Sequence, residues 1–280
     1  FTDDVIDHSI RADVGTKAEM VNSGMTIIKE YNCQGCHIID DFGGKIAEFI
    51  GKPEFSPPNL NTQGSKTQPE WLFEFFKHPS TIRPNLKVRM PSFGFEDDKW
   101  NKIIQAFQFQ DDQKIVHETS HIVNKKSTVY HAGIKLAELG ACENCHFIGD
   151  KFPKQSSSTW APNLAMTKER LRPEWVVDWL RDPNAIMPGT KMPAPFLPTA
   201  EYLSMEGAES DWGKPVVELG GDQEKMLVGI RDWLFALNGK SDISNEVKNY
   251  FEKNGYPFLE KTDEDDEDDE DDWGDEDEDW

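Results

Sequence analysis

The chain predicts an all-α protein built from two tandem units. Three observations carry that expectation: one pattern occurs twice, apolar residues recur at helical spacing, and no segment alternates convincingly with the period of two that a half-buried strand shows. At 280 residues the chain is long enough for two compact domains, each able to bury a core of its own.

The duplication is read from spacings. Gly24 and Cys33 recur as Gly133 and Cys142, a displacement of 109. Further on, Pro58-Asn59-Leu60 recurs as Pro162-Asn163-Leu164, and Pro69-Glu70-Trp71 as Pro173-Glu174-Trp175. Pro79, Ile82 and Pro84 return as Pro183, Ile186 and Pro188, now at a displacement of 104. Five residues are missing from the second copy between these landmarks, but the order of parts is unchanged. With two copies the pattern describes a fused pair of domains, not a solenoid.

Each unit reads as a series of helices. Val21, Met25 and Ile28 form a stripe in the first, and Val129, Gly133, Leu136 and Leu139 a similar one in the second. "PEWLFEFFKHP" and "PEWVVDWLRDP" are short helices with Pro at the first position and again at the stop, where its missing N–H and its ring end the run. An amphipathic helix closes each unit, through Trp100, Ile103, Ile104 and Phe107 in one and Met226, Ile230, Trp233 and Leu237 in the other. The units are placed at 1–110 and 127–260, joined by a polar linker at 111–126. Residues 198–222 have no counterpart in the first copy and read as an inserted loop.

Charge limits the partners. The net charge is -22, which supplies no basic excess to meet phosphates and argues against nucleic acid. Fifteen of the acids lie in 263–279, so the body is only mildly acidic. That segment, with Trp273 and Trp280, has too little apolar surface to fold alone, and 261–280 is expected to be a disordered tail that steers docking to a basic partner. No uninterrupted apolar run is long enough to span a membrane.

All four cysteines lie in two C-x-x-C-H motifs, Cys33-Cys36-His37 and Cys142-Cys145-His146. A thioredoxin-like pair needs a βαβ surround, which the helical pattern does not offer. A structural zinc site needs four ligands, and each copy has two cysteines and one adjacent His. Covalent haem attachment fits the motif: the thiols add to the haem vinyl groups and the following His becomes the proximal iron ligand. His117 and His121, at i and i+4 in the linker, read as a solvated pair, and His78 as a surface or capping residue.

Over residues 16–109 and 127–239 the two halves resemble class I c-type cytochrome domains, and the whole resembles the di-haem cytochromes c formed by tandem fusion. The resemblance implies an all-α fold, each domain a few helices around a covalently bound haem. It implies that the closing helix crosses the first at its glycine, pairing Gly24 with Phe107 and Gly133 with Trp233. Met90, 53 residues after His37, and Met192, 46 after His146, each precede a proline and match the family's axial Met loop. Met187 competes for the second site but aligns with Arg83. The resemblance further implies that the carbonyls of Pro58 and Pro162 accept from His37 and His146.

Two His/Met haems imply an electron carrier of relatively positive potential that passes single electrons between redox partner proteins. The alternatives are an electron-transfer subunit of a larger respiratory or oxidoreductase complex and a di-haem peroxidase, which needs one iron with an openable face. Attachment of this kind implies a periplasmic or extracellular address in a bacterium. The chain opens at Phe1, so any export signal is expected to be already absent.

Overall fold

The structure, a computed structural model, describes residues 8–51, 55–83, 86, 88–113 and 121–255. The proposed tail, Pro84, His117 and linker residues 114–120 lie outside them. The described chain is mostly helical, and no helix among these residues is long and apolar enough to cross a membrane.

The first half runs α1 (His8–Glu30), α2 (Cys33–Cys36), a two-stranded hairpin of β1 (Ile38–Ile39) and β2 (Phe42–Gly43), α3 (Ile46–Ile50), α4 (Gln63–Lys66), α5 (Pro69–Lys77) and α6 (Asp97–Gln110). The hairpin is short enough to have left no periodicity in the sequence: Ile39 faces Phe42 across a turn in which Asp40 and Asp41 both adopt positive φ. The second half runs α7 (Thr128–Leu139), a 3-10 turn at Cys142–Asn144, α8 (Thr167–Arg170), α9 (Pro173–Arg181), α10 (Pro183–Ile186), α11 (Ala200–Leu203), α12 (Ala208–Trp212), α13 (Lys214–Val217), α14 (Gln223–Ala236) and α15 (Ser244–Asn254). Helices α4 and α5 therefore return as α8 and α9 at the displacement of 104 seen in the sequence.

Two helix crossings organise the halves. α1 packs on α6, and α7 on α14. Each crossing is close because a glycine stands at the contact. A Cβ on Gly24 would overlap the Lys102 carbonyl and Ala106, and one on Gly133 would overlap the Gly229 carbonyl. The glycines are where the resemblance places them, but their partners are Lys102 and Ala106 in place of Phe107, and Gly229 and Ile230 in place of Trp233. Small residues allow backbones to touch, and the large aromatics turn inward: Phe107 is buried in the core with Met25, Ile28, Leu72, Phe76 and Trp100. The second core gathers Leu136, Trp175, Val176, Leu180, Met226 and Ile230.

The insertion is not a loop. It folds as α11, α12 and α13, and Leu203, Ala208 and Val216 are buried, Leu203 and Val216 within the second core. Helices of four or five residues have no resolvable period, so their apolar positions were hidden in a polar context. α15 also went unread. Its Val247 and Phe251, with Ile243 before it, cover Phe147 and Trp160 in a separate aromatic cluster. Linker residue His121 is fixed as well: its Nε2 lies 2.7 Å from Asp232 Oδ1, which also accepts from Arg231 Nε at 2.9 Å.

Candidate metal centres

Both C-x-x-C-H motifs begin at a forced change of direction. Asn32 and Ala141, each just before the first cysteine, adopt left-handed φ of 52° and 50°. That conformation ends the preceding helix and costs about 1 kcal/mol or more for a residue other than Gly. In both copies the turn closes identically, His37 N–H donating to the Cys33 carbonyl and His146 N–H to the Cys142 carbonyl, each at 3.0 Å. None of the four thiols forms a disulfide, and all are half-buried. Burial pushes Cys33 and Cys142 up, the opposite of what a reactive thiolate pair requires.

The Pro-Asn-Leu triplets are brought beside the histidines. Leu60 N–H donates to the Ile38 carbonyl at 2.9 Å, and Leu164 N–H to the Phe147 carbonyl at 2.8 Å. Asn59 and Asn163 accept from backbone N–H groups two residues on, at 2.8 and 3.0 Å. These bonds aim the preceding carbonyl at the imidazole. His37 Nδ1 lies 2.8 Å from the Pro58 carbonyl, and His146 Nδ1 lies 2.8 Å from the Pro162 carbonyl. A carbonyl can only accept, so Nδ1 carries the proton in both rings. Burial holds both histidines below the ordinary range, His37 with a further push from Arg83. Each ring is thus neutral near pH 7, with its Nε2 lone pair free of any hydrogen bond among the described residues.

The methionines are less alike. Met90 is half-buried against the first core. Met192 is half-buried against the second, where its Sδ accepts from Trp179 Nε1 at 2.8 Å. Met187 is held in a backbone turn, its N–H donating to the Pro183 carbonyl at 2.9 Å, and does not join that core. His78 caps the end of α5, and its counterpart Asp182 starts α10 by accepting from Ala185 N–H.

No family model, curated protein or solved structure matches the chain. The chemistry of the donor set is what remains, and it suits a c-type haem. Each half offers two thiols on one turn that form no disulfide, a neutral imidazole oriented through Nδ1, and a thioether packed on that half's core. Trp179 is the residue that sequence reasoning passed over. Its signal was present in the aligned helices, where it replaces Phe75, yet only the fold brings its N–H to the Met192 sulfur.

Proposed function

We propose that the chain is a di-haem electron-transfer protein that carries single electrons between redox partners. Cys33 and Cys36, and Cys142 and Cys145, would attach one haem each; His37 and His146 would supply the proximal ligands and Met90 and Met192 the sixth. The observation that carries the reading is the repeated bond from His Nδ1 to the Pro58 or Pro162 carbonyl, because a ligating histidine is oriented through its other ring nitrogen.

When bound, a haem with a second strong ligand supplies a one-electron couple. The chain's own residues orient the imidazole, keep it deprotonated at Nε2 and limit water. In the first half Phe76, Phe93, Phe95 and Trp100 pack ring on ring, and in the second Trp175 stacks on Trp179. A net charge of -22 favours partners with a basic docking surface. Covalent attachment of this type supports a periplasmic or extracellular address.

The test is a haem-stained gel with an optical redox titration of the purified chain. Two covalent haems and two one-electron transitions are expected. No covalent haem, or a single centre, would overturn the proposal.

A further inference from the structure

The halves meet at a seam whose local symmetry the sequence spacing explains. Thr67 and Leu171, repeat counterparts, face each other in an isolated antiparallel bridge. Gln68 N–H donates to the Arg170 carbonyl and Arg172 N–H to the Lys66 carbonyl, both at 2.9 Å. Shifting one bond by 104 residues yields the other, so the pairing has a local pseudo-two-fold axis. Side chains follow that axis. Lys66 Nζ lies 5.1 Å from the ring of Trp175, and the Arg170 guanidinium 5.5 Å from the ring of Trp71. Each half therefore lends its cation to the other half's tryptophan.

The seam holds buried donors that lack acceptors among the described residues. Among the described residues neither Lys66 nor Arg170 makes an ion pair, while Arg170 Nε and Trp175 Nε1 are buried donors with no partner. Arg83 adds a third positive charge nearby, close enough to hold down both Lys66 and Arg170. Lys66 and Arg170 keep only part of their surface exposed, and taking a cation out of water is costly even after relaxation. A cation–π contact returns only part of that cost. Something negative is needed to offset the difference; Glu174 and Asp178 line the cavity beside Arg172 and Trp175, but among the described residues neither pairs with Lys66 or Arg170.

We infer that the seam is an anion site built in trans, in which Lys66 of the first half and Arg170 of the second each hold a carboxylate belonging to the opposite half. This rests on the proposed function, since the carboxylates would be the acidic side arms of the two haems. Trp175 Nε1 and Arg170 Nε are the donors they would satisfy. A free oxyanion from solution has the same chemistry, and the test separates the two sources.

The experiment compares the intact protein with Lys66→Met and Arg170→Met by haem content and by the midpoint potential of each centre. Met192→Ala serves as a reference that identifies the second centre. A nearby cation disfavours the ferric state, so removing one lowers the potential. Lys66→Met should lower the second centre more than the first, and Arg170→Met the first more than the second. Lys66→Arg keeps the charge and should restore the native order. Potentials that move only in the substituted residue's own half, or not at all, overturn the trans arrangement while two haems per chain preserve the functional reading. Loss of the native potentials' dependence on Lys66 when inorganic phosphate is removed assigns the site to a free oxyanion and overturns the haem assignment. A chain with no covalent haem removes both readings together.

Discussion

Trp179 Nε1 donates to Met192 Sδ at 2.8 Å, and the residue at the equivalent place in the first half, Phe75, has no N–H to give. The two candidate centres thus differ by one hydrogen bond on the sulfur proposed as the sixth ligand. Such a bond withdraws electron density from the thioether and makes it a weaker donor to ferric iron, which favours the ferrous state. The second centre is expected to have the higher potential of the pair, and electrons to settle there. Trp179→Phe should lower the second centre and leave the first in place, read by optical redox titration. An unchanged or raised second potential would sink the idea.

The helix crossings make a sharper structural demand. A Cβ at Gly133 would overlap the Gly229 carbonyl oxygen, so one of the two helices must shift to admit a side chain. Gly133→Val should cost at least the ~1–3 kcal/mol typical of overpacking, by forcing α7 away from α14. Thermal unfolding of the variant should show that loss together with reduced haem in the second half. Retention of native stability would mean that the crossing is looser than described.

The recurring triplet singled out Pro58 and Pro162 in the sequence, but their contacts with His37 and His146 were legible only as what the resemblance to c-type cytochromes implies. Helices α5 and α9 were legible through their bounding prolines, and both occupy the expected residues. The insertion was not, since α11 to α13 are each about one turn long and their buried positions, Leu203, Ala208 and Val216, belong to no stripe. Nor was the seam, because Thr67 and Leu171 share no side-chain chemistry and meet through backbone alone.

That the insertion is part of the core has a direct test. Leu203 is 6% exposed and packs with the second core, whereas Met205, two residues on, is 52% exposed. Leu203→Ala should cost about 2–5 kcal/mol, the range for a buried leucine cut to alanine. Met205→Ala should stay within about 0.5 kcal/mol. Denaturant unfolding of both variants decides the point, and equal, small effects would return residues 198–222 to the status of a loop.

The seam has a pH signature of its own. Burial first, then Arg170 and Arg83, pushes Lys66 down to about 7 when no anion is beside it. A lysine whose folded pKa lies below its unfolded value binds fewer protons folded than unfolded between the two, so stability climbs as pH rises through that window. A carboxylate in the seam would return Lys66 toward its ordinary range and remove the slope. Denaturant unfolding of the haem-loaded protein and of Lys66→Met at about pH 7 and about pH 9 should then show the same difference between the two proteins at both values. A gain in stability at the higher pH confined to the protein that keeps Lys66 would mean that its ammonium is buried without an anion.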